Sequence, residues 1–205
     1  MEDARGLKEL QLDALREVAN IGAGHAATAL SQMTNRTIMI SVPEVNVRPL
    51  EEVTDLLGSP DAVIAAVLMQ MMGDLTGRTL VLFPEDSARS LCDILLSRAP
   101  GSSTTFGPME QSGLKEVGNI LVSAYMNALS DFMGMMLVPS VPSLVIDLSA
   151  AVLTTTYLNF GHDRDFVFCV ETEFRIDSGE GLRGDFLLLP DLASLKAIFD
   201  AIRLT

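Results

Sequence analysis

Cysteine, histidine and basic residues are all scarce in this chain of 205 residues. Two cysteines, Cys92 and Cys169, cannot build a dense disulfide framework, and their apolar neighbours predict reduced residues in the core. The two histidines, His25 and His162, are far apart and have no Cys or His at ligand spacing. We therefore expect no metal held by ligands of this chain.

Lysine and arginine number 14 against 27 acidic residues, so the formal net charge is −13. Such a surface repels nucleic acid and anionic lipid and favours a partner with a basic patch. No run reaches the ~18 apolar residues that a transmembrane helix needs, and the acidic, mixed N-terminus is not typical of a signal peptide. A glycine-rich phosphate loop is also missing. These absences predict a cytoplasmic protein that neither binds nucleic acid nor inserts into membranes, with no cofactor of its own.

The chain does contain a short polar sequence motif that occurs twice. The letters EVAN at 17–20 return as EVGN at 116–119, an offset of 99 (116 − 17 = 99). An offset of 106 then aligns LFP at 82–84 with LLP at 188–190, so the second half has seven more residues (106 − 99 = 7). Duplication and fusion explain this pattern. We predict one domain over residues 1–205, made of two homologous halves, 1–98 and 106–205, with a linker at 99–105.

Each half has the same order of patterns, namely a long helix, three β-type runs and a short helix. The predicted ranges are 9–34, 37–47, 61–73, 77–84 and 85–96 in the first half, and 108–133, 136–148, 165–176, 183–190 and 191–202 in the second. Because the runs follow one another without intervening helices, antiparallel pairing is expected. The predicted fold class is α+β: a pseudo-two-fold duplicated domain with two long helices packed on a mostly antiparallel six-stranded sheet, plus short helices. The long helices are expected to pack near the pseudo-two-fold axis or to lie side by side on one face of the sheet.

The repeated motif places a glutamate and an asparagine on the polar face of each long helix. Successive helical residues are rotated by about 100°, so Glu17 and Asn20 stand one turn apart on one face. Asparagine in an exposed helix interior adds no stability, because its amide competes for backbone hydrogen bonds. Glu116 and Asn119 are retained on the equivalent face of the second helix. This retention indicates that the acid–amide pair has a functional role and is not merely a solvated surface.

The chemistry of this pair suggests a protein partner. A carboxamide is neutral and has two donors and an acceptor, so it can hold a water molecule in one orientation. A carboxylate can bind a lysine or arginine of a partner, or a metal. An exposed helix cannot enclose a small substrate, so the complementary cleft has to belong to another protein.

The complete motif resembles that of a known family. The spacing D-x3-E-x2-N-x22-P over residues 13–43 recurs as S-x3-E-x2-N-x22-P over residues 112–142. This resembles the signature of the CheC-type phosphatases of chemotaxis, which are related to CheX and to the flagellar switch proteins FliY and FliM. The match is closest to the CheC pattern, because CheX-like proteins generally carry one motif and FliM-like proteins lack the acid–amide pair. FliY-like proteins carry extra flanking segments.

The resemblance implies a hydrolase that removes the phosphoryl group from the phospho-aspartate of the response regulator CheY. It also implies binding of the receptor deamidase CheD. The catalytic residues would be Glu17, Asn20, Glu116 and Asn119, and the partner-binding residues Asp13 and Ser112. Magnesium is expected on the phosphorylated regulator and not on this chain, which we expect to be monomeric.

The two motif prolines, Pro43 and Pro142, are expected to shape a strand or a bulge. The methionine-rich runs at 69–72 and 133–137 are interpreted as core filling at strand ends, with an adaptable partner surface as the less favoured interpretation.

Two alternative functions remain open. The chain could be a non-catalytic docking protein, like the flagellar switch proteins, that binds phosphorylated CheY with the same helix face. Control of CheD could also be the principal role. The repeated asparagine favours catalysis, because a pure binder needs no water-orienting amide in both halves.

Overall fold

The computed structural model describes residues 9–49, 52–53, 59–160, 166–177 and 181–203. The helices are α1 (Glu9–Thr34), α2 (Glu85–Leu95), α3 (Pro108–Met133), α4 (Ser149–Phe160) and α5 (Leu192–Arg203). The strands are β1 (Ile38–Pro49), β2 (Val63–Gly73), β3 (Gly77–Pro84), β4 (Leu137–Pro139), β5 (Ser143–Leu148), β6 (Phe166–Ile176) and β7 (Gly181–Pro190).

Helix α3 begins and ends where the sequence predicts, and α1 ends at the predicted residue, Thr34. Pro108 occupies the first turn of α3 after an extended Gly107, a position where the missing N–H costs nothing. Gly134 ends α3 with a left-handed φ of 65°, and its N–H donates to the Ser130 carbonyl. Asn35 follows α1 at the equivalent position with φ of 52°, a conformation that asparagine tolerates better than most residues. Local sequence thus stops both helices in the same way.

All described strand pairs are antiparallel, in the order β1-β6-β7-β3-β2, with β4 and β5 both pairing with β2. This order is symmetric about the central β7–β3 pair. The first strand of each half pairs with the second strand of the other half, and the third strands of the two halves meet in the centre. The α+β class with an antiparallel sheet is confirmed.

The predicted run at 136–148 forms two strands, so the sheet has seven strands rather than six. Pro139 pairs with Met71, and Ser143 pairs with Leu68. Three residues, 140–142, therefore stand opposite two residues of β2. Proline cannot donate to a ladder, and Pro142 lies in this interruption, at the edge of the sheet.

Helix α4 is not predicted by the sequence analysis. Its sequence SAAVLTTTYLNF is rich in β-branched residues, which are poor helix formers. Val152 and Leu153 are buried with Leu82 and Leu187 on the sheet face opposite the long helices. Tertiary burial therefore outweighs local propensity here, and the helix falls in the stretch where the second half is longer.

The core has two layers, one on each face of the sheet. On β7, Phe186 and Leu188 face the long helices, whereas Leu187 and Leu189 face α4. Both cysteines are buried and neither forms a disulfide among the described residues, as expected. Burial, together with the charges of Glu110 and Asp93, raises the pKa of the Cys92 thiol to about 11.

Helices α1 and α3 pack side by side on one face of the sheet, which is one of the two arrangements expected from the sequence. Gly22 of α1 lies against Tyr125 of α3, where an added Cβ would stand 2.6 Å from the ring carbon Cδ1. The Tyr125 ring stacks on Phe186 at a centroid distance of 4.7 Å. Its hydroxyl is 3.2 Å from the Thr172 hydroxyl. The absence of a side chain at Gly22 therefore leaves room for the large Tyr125 side chain of the other half.

The predicted linker is tied to the body of the molecule by Asp93. This carboxylate accepts hydrogen bonds from the backbone N–H groups of Gly101, Ser102 and Ser103 at 2.7, 3.2 and 2.8 Å. Burial opposes ionisation of Asp93, but the hydrogen bonds outweigh it and hold the pKa of the carboxyl below its usual value. Nearby, Arg98 pairs with the buried Glu110 in the first turn of α3. These contacts fix where α3 begins.

Candidate functional site

Glu17 and Asn20 lie on the exposed face of α1. The neighbouring Leu15, Val18 and Ala19 are buried in the core between α1 and the sheet. Because these buried residues set the rotation of the helix about its axis, the carboxylate and the amide point away from the sheet. The predicted exposure of the first acid–amide pair is confirmed.

The second copy lies on α3 and is less exposed. Glu116 is exposed, but Asn119 is only half-exposed. The preceding Gly118 is buried, and a Cβ added there would lie 2.5 Å from Cγ1 of Val67 on β2. The α3 backbone thus approaches the sheet closely at the motif turn, and the two asparagines have unequal access to a partner.

One turn earlier, the two copies differ in charge. Asp13 of α1 accepts a hydrogen bond from Arg16 at 2.7 Å, in an ion pair that is about half exposed. Its equivalent, Ser112, is exposed and carries no charge. Arg16 itself is aligned with Lys115 at the offset of 99, so a cation precedes the glutamate in both copies. The two aligned sequences alone are enough to indicate this shared basic position.

Helical periodicity also places Ser31 and Ser130 on the polar faces of the two long helices, near their C-terminal ends. The Ser31 hydroxyl, however, accepts from the Ile38 N–H at 2.9 Å and donates to the Ile38 carbonyl at 3.2 Å. Ser130 of α3 donates to the Met135 carbonyl. Both serines fasten the end of a long helix to the strand region that follows, so they do not belong to the candidate site.

The motif prolines lie at irregularities of two edge strands. The register of β1 on β6 shifts between Ser41 and Glu44, so two residues, one of them Pro43, oppose Thr172 alone. Pro142 lies in the interruption between β4 and β5. Both are far along the chain from the acid–amide pairs, and their placement fits the expectation of a role in strand shape.

The methionine-rich runs are divided between core and surface. Met69 and Met71 are buried, in agreement with core filling. Met72 and Met136 are exposed at the end of β2 and next to β4.

An apolar cavity of about 50 Å³ lies beneath α1, on the side opposite the acid–amide pair. Leu15, Val18 and Ala19 line it together with Tyr125 and Phe186. Its walls have no charged groups, so it is not a phosphate site. Across the described residues, no group of three or more His, Cys, Asp or Glu side chains is placed to hold a metal ion. In the same part of the chain, no helix is long and apolar enough to cross a membrane.

Comparisons with known proteins agree with this geometry. The model of the CheC-like family matches residues 10–47 and 109–146, which contain the two acid–amide pairs. A relative from Bacillus subtilis (strain 168), named CheY-P phosphatase CheC, is 34% identical over 96% of both chains. The flagellar motor switch phosphatase FliY of the same organism is 24% identical over 96% of this chain and 50% of its own length.

Among solved structures, Thermotoga maritima FliY has a TM-score of 0.78 at 19% identity, with 97% of this chain and 98% of that chain covered. This likeness shows a shared fold. The Bacillus subtilis relative matches nearly the whole of both chains, and the family model matches both halves. The chain therefore belongs to the CheC-like family.

Proposed function

We propose that this protein hydrolyses the phospho-aspartate of a CheY-type response regulator. The observation that carries the proposal is the presence of two outward-facing Glu–Asn turns in a chain that belongs to the CheC-like family. The name of the Bacillus subtilis relative, a CheY-P phosphatase, supports the choice of substrate.

In the proposed reaction, Asn20 or Asn119 enters the cleft of the regulator and orients the attacking water. The amide oxygen accepts a hydrogen bond from the water, which leaves a lone pair of the water directed at phosphorus. The water oxygen bonds to phosphorus, and the bond between phosphorus and the aspartate oxygen breaks with its electron pair remaining on the carboxylate. Inorganic phosphate leaves with the protons of the water.

The side chains of this protein need not supply a base or an acid. An amide cannot take up a proton usefully, and a carboxylate is a leaving group that needs no protonation. Magnesium held by the regulator would balance the charge of the phosphoryl oxygens. Orientation alone can contribute several kcal/mol to the lowering of the barrier.

Glu17 and Glu116 supply the complementary charge. Each would pair with a lysine next to the phosphorylated aspartate of the regulator and so place the asparagine in register. Asp13 and Ser112, one turn earlier, would contact the regulator at its rim. We further propose that the protein is a monomer and that it binds a CheD-type deamidase, a role that rests on the family resemblance alone.

The asparagine variants test the proposal. Phosphate release from phosphorylated regulator is measured for wild type, Asn20→Ala, Asn119→Ala and the double variant. Each single variant should retain part of the rate, and the double variant should lose ~10²-fold or more and fall to the rate of the regulator alone. Thermal melts verify that the variants are folded, which matters most at the half-buried Asn119.

A folded double variant that hydrolyses at the wild-type rate would contradict water orientation by the amides. If wild type binds the phosphorylated regulator but never accelerates phosphate release, the protein is instead a docking protein of the flagellar-switch kind.

A further inference from the structure

The residue after the asparagine is isoleucine in both long helices, Ile21 in α1 and Ile120 in α3. Ile21 exposes 44% of its surface, whereas Ile120 is half-buried against the core. A β-branched residue is a weaker helix former than Leu, Lys or Ala. An exposed isoleucine in the interior of α1 therefore contributes little to the helix or the core, so its presence there indicates another role.

The position of Ile21 around the helix gives that reason. About 60° separate Asn20 from Glu17, and about 40° separate Glu17 from Ile21 on the other side. Residues four apart are surface neighbours, with Cβ atoms about 5–6 Å apart. Helical side chains lean toward the N-terminus, so Ile21 leans toward Glu17. The order around the helix is amide, carboxylate, apolar side chain.

We propose that Ile21 and Ile120 form an apolar rim that shields the ion pair between the neighbouring glutamate and the lysine of the regulator. The inference rests on the proposed function for the identity of the partner. An exposed ion pair is weak and screened by salt. Exclusion of water from one side strengthens it, as near-neutral contacts do around an interface hot spot.

The rim defines the chemistry of the partner surface. The regulator must present an apolar patch beside its lysine, and a purely polar surface there would leave the isoleucine in water. Ile21 has more surface to bury than Ile120, so the effect should be larger at the first copy.

The test uses Ile21→Ser in an Asn119→Ala background, where only the first copy turns over. KM and kcat for phosphorylated regulator are measured at low and at physiological ionic strength. KM should rise about 5- to 10-fold with kcat within about twofold of the parent. KM should also rise more steeply with salt than in the parent, because the ion pair is now wet. Ile21→Val should recover most of the loss.

Met33→Ser is the matched control. Met33 lies on the same helix and is similarly exposed, at 41%, but about 18 Å further along the axis. It should keep the KM and the salt dependence of the parent. Melting temperatures establish that each variant is folded. If Ile21→Ser does not fold, KM and its salt dependence are measured for Ile21→Val instead.

The inference is overturned if Ile21→Ser matches Met33→Ser in KM and salt dependence, or if it lowers kcat with KM unchanged. Failure of the proposed function is a different result, namely an Asn20→Ala/Asn119→Ala double variant with the wild-type rate. In that case the affinity for regulator activated with beryllofluoride is compared between Ile21→Ser and its parent. Weaker binding by Ile21→Ser supports the apolar rim, and equal binding overturns it.

Discussion

Glu17 and Asn20 are one helical turn apart but can contribute different things, because only the carboxylate is charged and only the amide both donates and accepts. Binding and chemistry should therefore separate by residue. The amide variants described above remove the chemistry. Replacement of the carboxylates by isosteric amides should remove the ionic attraction while the water-orienting asparagines stay in place.

For Glu17→Gln/Glu116→Gln, we expect KM for the phosphorylated regulator to rise ~10-fold or more while kcat changes little. The difference from wild type should shrink as salt is added, because screening weakens the ion pair that only wild type can form. Steady-state kinetics across ionic strength measures both effects. Asp131→Asn/Asp147→Asn, which removes two charges at exposed positions on α3 and β5, is the charge-matched control. A selective fall in kcat would assign the glutamates to the chemical step instead.

Asp185 is a second residue whose charge matters, in this case for stability. It is buried in β7, with no partner for Oδ2 among the described residues and a 3.4 Å contact from Arg183 to Oδ1. Burial raises the pKa of Asp185 from an ordinary 3.8 to about 6, with Arg183 opposing and Glu171 reinforcing the shift. The folded state therefore binds more protons than the unfolded state between these two pH values, and this group lowers stability as pH rises through that window.

Asp185→Asn should remove this penalty. We expect the variant to exceed wild type by ~1–3 kcal/mol in free energy of unfolding above pH 6, with the difference narrowing toward pH 4. Urea denaturation at several pH values provides the measurement. A difference that stays constant from pH 4 to pH 8 would show that ionisation of Asp185 is not the cause.

At the scale of elements, the contact of α1 with α3 depends on the absence of a side chain at Gly22. Gly22→Leu would push against the Tyr125 ring, whose stacking on Phe186 and contact with Thr172 limit how far it can move. We expect a loss of ~1–3 kcal/mol from overpacking.

Gly24 offers a control on the same helix, because an added Cβ meets nothing within 4 Å there. Gly24→Ala should stabilise the protein by ~0.5–1 kcal/mol through the helix backbone alone. Thermal or urea denaturation compares the two. Equal stability of Gly22→Leu and wild type would mean that the helices can separate without cost.

At the scale of the whole molecule, the two halves are interleaved rather than adjacent. The first strand of each half pairs with the second strand of the other, and β3 pairs with β7 across the centre. An isolated first half would lose the partners of β1 and β3 and the helix that packs on α1. It would also expose much of the larger core.

We therefore expect the segments 1–98 and 106–205 to lack cooperative unfolding as separate monomers and to regain it when mixed. Near-ultraviolet circular dichroism, urea titration and size-exclusion chromatography of each half and of the mixture provide the test. Cooperative unfolding of either half as a monomer would show that the halves are independent domains.

Much of this architecture follows from local sequence. The long helices are delimited by Pro108 and by Asn35 and Gly134, whose backbone preferences act within one or two residues. The rotation of each helix follows from its own apolar periodicity, so the outward direction of Glu17 could be deduced before any partner element was known. The repeat supplied a second copy of the helix-ending position and of the acid–amide pair.

Other features depend on elements that are distant in the chain. Helix α4 forms against its own propensity because the far face of the sheet buries Val152 and Leu153, and that face is assembled from both halves. Asn119 is less exposed than Asn20 although both occupy the same motif, so the surroundings of the two helices differ. Ser31 leaves the polar face of α1 because β1 returns beside it. The amino-acid sequence by itself determined the two long helices and the direction of the acid–amide pairs, since these depend on neighbours a few residues away, and it also contained the repeat. Strand partners, the added helix and the unequal exposure of the two copies were decided only by tertiary packing, which joins residues that no local pattern relates.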